Sequence, residues 1–578
     1  MTGPAAPKDP EKARPFFYIL KDKDIFGERQ KDGTGIQFIY ESDGRLINSA
    51  QITGNVTDKE ELTLLETVEG FGRLVHSIGV SVETDRPKET AEFVFQMYGK
   101  KDLYGGGTNL TTSLKCDGME HRIYLSDYRW TEDDHVPGQI KILFAAPERM
   151  GKVSVRLFLN DGYEAPPEEE DLVIDMHSEE YCGMISRSML QLGNPYRIRK
   201  AIEKSKAGKE VTLAYIGGSI TQGAGAIPIH TECYAYKSFQ LFQNRFSTQN
   251  NVRFIKAGVG GTPSELGMIR FDRDVLREGE RPDIVVIEFA VNDEGDETKG
   301  VCYESLVRKV LKLPWKPAVV LLFSVFANDW NLQERLRPVG DLYDLPMVSI
   351  RDAVTPQFSL KCGEGRILSK NQFFYDIFHP NNTGHTIMAD CLQYLFERCD
   401  AAEPARVGTF VEGMTEEQIL SEKLSGPAVI GADFERIFLL DKKNRYVGAK
   451  IRAGSFTSTD IELQSVEMDG NLTQTPEFPY NWMYDGSRPQ MPGFEMEITC
   501  KSLFLIFKDS GEMDVGKANV FVNDVYCMTA DPHKNNWLHC NAVLLFWETE
   551  SRSHKVRIAV TEEDRNKKFT ILGFGYTI

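Results

Sequence analysis

The sequence predicts an α/β protein: a three-layer αβα unit on a parallel, flavodoxin-like sheet, with a β-sandwich on each side. Three observations predict this. Residues 186–402 alternate apolar runs with helical periods, the pattern of parallel strands covered on both faces. Residues 1–185 carry short β-rich runs between Gly, Asp and Asn turns, with no long helical period. Residues 403–578 return to that pattern after one short helical run. The expected boundaries are therefore 1–185, 186–402 and 403–578.

In the first stretch, strands are expected at 36–40, 91–97, 120–125, 139–145 and 152–159. Asp43-Gly44, Gly105-Gly106-Gly107 and Asn160-Asp161-Gly162 mark turns, and Ala165-Pro166-Pro167 with the acidic residues after it marks a linker. Tyr128 and Trp130 are weighed as sugar-stacking rings and read as core or rim aromatics.

The middle stretch opens with a helix at Asn194-Pro195, Asn as the cap and Pro at the first helical position. A strand at 211–216 follows, then a helix at 234–246, a strand at 252–257, and a helix begun by a capping box, Thr262-Pro263-Ser264-Glu265. Strands at 283–289, 317–326 and 347–350 and helices at 303–311 and 383–399 complete the pattern. In the last stretch, 401–406 reads as a linker and 415–424 as a helix. Strands are expected at 449–451, 495–499, 503–507, 518–522, 555–560 and 569–573.

Composition narrows the function. The chain has 578 residues, is 41% hydrophobic and carries a formal net charge of −18. That charge argues against nucleic acid or an anionic membrane surface as partner, since both need clustered Lys and Arg. No run is long and apolar enough to span a membrane. Taken as a natural start, residues 1–14 lack the apolar core of a signal peptide and imply a cytoplasmic protein; a chain with its signal removed would read the same. The ten cysteines form no CxxC pair and read as buried free thiols. No cluster has metal-ligand spacing, so no metal and no cofactor is expected.

Most strands of the middle stretch end in something chemical. The first ends in Gly217-Gly218-Ser219, the second in Gly258-Val259-Gly260-Gly261-Thr262 and the third in Ala290-Val291-Asn292-Asp293; after the fifth comes Asp376-Ile377-Phe378-His379-Pro380. In a parallel sheet these ends share one edge. Ser219, where the chain leaves a buried strand, is the expected nucleophile. A serine hydroxyl needs a base, and His379 is the candidate, with Asp376 three residues earlier to orient the ring.

These four blocks, in this order, resemble those of the SGNH hydrolases, the GDSL-type esterase family, and in particular its multidomain bacterial carbohydrate acetylesterases. The resemblance covers the middle third of the chain. Gly218 stands where the family name has Asp, Ala290 where Gly is common, and Lys256 where the second block has a leading Asn. The resemblance implies a Ser219–His379–Asp376 triad and an oxyanion hole from the N–H of Ser219, the N–H at Gly261 (or Gly260) and the Asn292 amide. Asp293 reads as structural, and His385 as an exposed residue of the final helix.

The resemblance further implies an esterase that acts through an acyl-enzyme on acetylated sugars, lipids or small esters. Removal of acetyl groups from plant-type oligo- or polysaccharide is the favoured expectation, with acylated carbohydrate as the partner and the oligomeric state, a homo-oligomer included, left open. A lipase or lysophospholipase is the first alternative. A catalytically inactive carbohydrate-binding protein ranks lower, because every catalytic position is occupied. Phe326, Trp330 and Tyr343, on loops after the fourth strand, are expected near a sugar site. The polar-aromatic run Asn535-Asn536-Trp537-Leu538-His539 reads as an anchor of its own sheet, with Trp537 as a candidate sugar contact.

Overall fold

The computed structural model describes residues 12–40, 44–168, 170–402, 414–471 and 473–578. Most of the N-terminal tail, Asp43 of the first turn, and residues 169 and 403–406 of the two linkers lie outside the described residues.

Residues up to 159 form two antiparallel sheets, of four and five strands. Inward residues of both, such as Ile19 and Val155 from one and Phe93 and Ile140 from the other, share one apolar core. Three helices that the sequence reading lacks, Arg45–Ile52, Lys59–Leu64 and Val68–Leu74, precede the strand Val75–Thr84. Each is about two turns or fewer, too short to show a helical period. Local caps still define two of them: Asp58 accepts from the Glu60 and Glu61 N–H groups, and Thr67 from Gly70.

The central sheet has six strands. Its five parallel strands, Val211–Gly217, Val252–Gly258, Ile284–Glu288, Ala318–Phe323 and Met347–Ser349, lie in the order 2-1-3-4-5, that of flavodoxin-like sheets. The sixth, Met189–Gln191, is an antiparallel edge strand. Alternate strand residues enter separate cores. Leu213, Tyr215 and Val286 pack with helices Tyr196–Lys206, Tyr234–Phe246 and Asn382–Ala401; Ala214, Ile216 and Val285 pack with helices Ser264–Phe271 and Val301–Leu311.

Three stretches depart from the local expectation. Helices Gln333–Tyr343 and Ile350–Phe358 occupy stretches read as loop, each with a proline inside it, Pro338 and Pro356; an internal proline argues against a helix from sequence. Tyr343 therefore sits at a helix end, 2% exposed, donating to Glu304 Oε1 (2.7 Å), and no sugar reaches it. The capping box at Thr262 does not form. Thr262 Oγ1 donates to Val259 O (2.8 Å), the Ser264 N–H goes to Asp293 Oδ1 (2.7 Å), and Glu265 turns inward to the Thr298 N–H (3.1 Å). Burial pushes the Glu265 carboxyl up to about 8.

The C-terminal stretch is rich in antiparallel strands. Eight of them form one sheet, beside a separate pair, Ser465–Glu467 with Gln474–Pro476. Two long strands, Phe494–Asp509 and His539–Val560, pair along most of their length with register shifts at Cys500/Ser502 and Leu503/Phe504. Residues from both ends of the strand order, Leu440 and Ala530 among them, line one core. Phe504, Ile506 and Leu572 instead join a central-sheet core, so this sheet is packed against the middle stretch. All ten cysteines are free.

Candidate active site

Every strand end that the sequence singled out lies at the carboxyl edge of the parallel sheet. The strand Val211–Gly217 pairs with Val252–Gly258 on one side and Ile284–Glu288 on the other, with Gly217 opposite Gly258 and Glu288. Ser219, the Gly260-Gly261 turn and Asn292 thus leave from adjacent strands. Arg270, fully buried, spans two of these strand ends: its Nη1 donates to Ala257 O (2.7 Å) and its Nη2 to Gly217 O (2.8 Å). Asp274 balances the charge at 3.0 Å.

Ser219 opens the short helix Ser219–Gln222. Its Oγ is 2.9 Å from His379 Nε2. His379 Nδ1 is 3.0 Å from both carboxylate oxygens of Asp376. Asp376 Oδ1 also accepts from the N–H groups of Phe378 and His379, each at 2.8 Å. Burial pushes this carboxyl up. The positive charge and hydrogen bond of His379, the Arg45 guanidinium and the Phe378 N–H outweigh it and hold the acid down to about 2.

The loop carrying this pair is tied down from both sides. The Tyr375 N–H donates to His379 O (2.8 Å) and the Asn381 N–H to Phe373 O (2.8 Å). Lys23, a buried lysine of the first strand, donates to Phe374 O.

Gly218 answers for one departure from the GDSL pattern. A Cβ there would lie 2.3 Å from Asn292 Oδ1, so the Asn292 amide occupies the space an aspartate would need. Lys256 answers for another: it is fully buried and donates to Gln222 O (2.8 Å), holding the turn after Ser219. The two glycines separate as well. The Gly260 N–H is taken by Gln222 Oε1 (2.9 Å), whereas the Gly261 N–H has no acceptor among the described residues. Gly261 has φ +70°, and a Cβ on it would meet the Trp537 ring at 2.7 Å, so only glycine suits this position.

These groups open into a cavity of about 1140 Å³. Ser219, Gly261, Asn292 and His379 form its base, with Phe326 and Phe378 beside them. Trp537 walls one side, and Tyr40, Arg45, Tyr104 and His135 of the N-terminal stretch wall another. Trp330 is not on the wall; it stacks behind Phe326 with ring centroids 5.7 Å apart. Tyr128 donates to the Thr111 carbonyl, and Trp130 is 5% exposed in its own core, so neither faces the site. The 535–539 run does more than anchor its own sheet: His539 Nε2 donates to Gly261 O (3.0 Å). The N-terminal wall went unread because no local signal ties Tyr40 or Tyr104 to a site built hundreds of residues away.

His385, expected to be exposed, is fully buried: Nδ1 accepts from the Tyr234 N–H (3.1 Å) and Nε2 donates to Ala224 O (3.1 Å). Burial pushes the imidazole down to about 3. The unfolded chain takes up that proton near its ordinary pKa of about 6.5. Stability is therefore full above roughly pH 6.5 and is lost as pH falls toward 3, by up to about 5 kcal/mol from this group. Denaturant midpoints against pH should show this slope in the wild type and a shallower one in His385→Asn; identical slopes would remove His385 as the cause.

Among the described residues, no group of three or more His, Cys, Asp or Glu is placed to hold a metal ion, and no helix is long and apolar enough to cross a membrane. Residues 215–387 match the family model of the GDSL-like lipase/acylhydrolases. No curated protein matches the chain. Among solved structures, a two-domain esterase (CEX) active on acetylated mannans is 23% identical, with a TM-score of 0.55, over 68% of this chain and 98% of that one. The same esterase co-crystallized with mannopentaose matches at 23% identity and a TM-score of 0.53, over the same shares. At that identity the likeness is one of fold. The family match and the blocks within it lead to one conclusion: the chain carries a GDSL-like lipase/acylhydrolase domain, that of a carboxylic ester hydrolase.

Proposed function

We propose that this protein is a serine esterase that removes acetyl, or similarly short acyl, groups from plant-type oligo- or polysaccharide. The observation that carries the reading is the hydrogen-bonded line Ser219–His379–Asp376 at the base of a roomy cavity walled by aromatics from all three stretches of chain. Residues 186–402 are then the catalytic unit, and the sheet-rich stretches 1–185 and 403–578 are its flanks.

Ser219 Oγ attacks the ester carbonyl carbon while His379 Nε2 takes its proton. Asp376 accepts from Nδ1–H and stabilises the imidazolium. Negative charge builds on the carbonyl oxygen, where the Ser219 N–H, the Gly261 N–H and the Asn292 amide donate to it. Collapse expels the sugar hydroxyl, protonated from Nε2, and leaves an acyl-Ser219 ester. Water, deprotonated by the same nitrogen, then releases the acid and restores the serine.

The cavity walls favour a sugar. Trp537, Tyr40 and Tyr104 are 45%, 47% and 61% exposed, rings offered to a ligand rather than spent on a core. The structural neighbour active on acetylated mannans supports the same class. Acetate release from acetylated mannan, acetylated xylan and small acetylated sugars, set beside 4-nitrophenyl esters of rising chain length, tests the reading. Acetate from the oligosaccharides and a preference for acetyl over longer acyl chains are expected; a preference for long acyl chains would make the protein a lipase. Within that panel, Tyr104→Ala should lower kcat/KM on acetylated oligosaccharides about tenfold, the worth of one stacked ring, and leave 4-nitrophenyl acetate unchanged.

A further inference from the structure

We infer that Gln464 and His539, both from the C-terminal stretch, are positioning residues that aim the Gly261 N–H at the oxyanion. This rests on the esterase reading above and deepens it.

Three consecutive peptide groups around Gly260-Gly261 are each held by a side chain. The Val259–Gly260 peptide gives its N–H to Gln222 Oε1 (2.9 Å). The Gly260–Gly261 peptide receives Gln464 Nε2 on its carbonyl oxygen (2.9 Å). The Gly261–Thr262 peptide receives His539 Nε2 on its carbonyl oxygen (3.0 Å). The middle peptide is the one that matters. A trans peptide points its N–H opposite its C=O, so a donor fixed on Gly260 O fixes the direction of the Gly261 N–H. That same bond polarises the peptide and strengthens the N–H as a donor. Gly260 and Gly261 lie past the last paired residue of their strand, Gly258, so no sheet partner orients these two peptides.

The two supports are themselves fixed. Gln464 Oε1 accepts the Cys540 N–H (3.1 Å), which leaves the amide only one way to face Gly260. His539 Nδ1 accepts from Asn535 Nδ2 (3.2 Å), so its proton is on Nε2, where Gly261 O needs it. Asp509 in turn accepts from the N–H groups of Asn535 and Asn536 and from Asn541 Nδ2. The Trp537 ring packs on the His539 imidazole at 4.6 Å. Simple anchoring between two parts of the chain would produce some of these contacts. It would not require two donors on successive carbonyls of the one turn beside Ser219.

The test uses the full chain and 4-nitrophenyl acetate, a substrate too small to need the cavity walls. Gln464→Glu keeps the shape and the Cys540 contact but removes the donor. His539→Phe keeps the packing on Trp537 but removes the donor, and His539→Gln restores an amide donor. Gln464→Glu and His539→Phe should each lower kcat about 10- to 100-fold with KM within twofold. His539→Gln should recover most of the loss. The Ki of phenylboronic acid, a tetrahedral adduct of the serine, should rise in step with the fall in kcat/KM. Unchanged kcat in folded Gln464→Glu and His539→Phe, a loss carried by KM alone, or His539→Gln as impaired as His539→Phe would overturn the inference. Ser219→Ala run in parallel separates the two levels: activity that survives it sinks the esterase reading itself, whereas a dead Ser219→Ala beside a fully active Gln464→Glu sinks only the positioning role.

Discussion

Ser219→Ala should fold as the wild type does and lose roughly 10⁴-fold or more of kcat/KM on 4-nitrophenyl acetate. The expected size follows from how little else that hydroxyl does. Among the described residues its Oγ hydrogen-bonds only His379 Nε2, at 2.9 Å, and the surrounding turn is held by other groups: Lys256 on Gln222 O and Arg270 on Gly217 O. Removing the oxygen leaves no attacking atom and disturbs no support. Thermal unfolding of the variant, alongside its kinetics, checks both halves. Turnover within tenfold of wild type in a folded variant would take the nucleophile role away from Ser219.

Asp376→Asn should cost nearly as much, about 10⁴-fold in kcat, for a reason specific to this loop. Asp376 Oδ1 already accepts two backbone N–H groups, from Phe378 and His379. In the asparagine variant that position must remain the oxygen, so the amide nitrogen takes the place of Oδ2, facing His379 Nδ1 at 3.0 Å. A donor there forces His379 to carry its proton on Nε2, pointing at Ser219, where it cannot accept one. In the wild type, Asp376 is ionised through the working range because its acid is held near 2. Its contribution to stability is present above about pH 4 and is lost as pH falls through 2. A variant that retains wild-type kcat, or one whose loss is confined to KM, would show that Asp376 does not set the imidazole tautomer.

The residues that share one strand end or one loop were legible in the sequence, because their spacing is local. Asp376 reaches His379 within a single turn of chain, and Ser219 follows directly from an apolar run that reads as a buried strand. What escaped came from two causes. Gln464 and His539 touch Gly260 and Gly261 from more than 200 positions away, and a single sequence carries no sign of which distant amide meets which carbonyl. The other cause was context overruling local preference. Glu265 had the spacing of a capping box but serves Thr298 instead. Pro338 reads as a helix breaker, yet it lies inside Gln333–Tyr343. His385 looked like a surface residue of its helix, and it faces the Tyr234 helix instead, where its two ring nitrogens are both used.

The buried fork of Arg270 has a bearing on catalysis that its distance from the substrate conceals. One rigid, planar group bridges a carbonyl at the tip of the strand that leads to Ser219 and a carbonyl at the tip of the strand that leads to Gly261. It acts as a gauge between them. Neither tip can drift without stretching a charge-assisted bond of a fully buried group, so the span from Ser219 to the Gly261 N–H is set before any ester arrives. In such an arrangement binding has little left to assemble at the reacting centre. On the proposed reading, the free energy that a long sugar chain gains along the walls is then left over for discrimination between substrates, and the chemical step should run at the same rate on short and long ones.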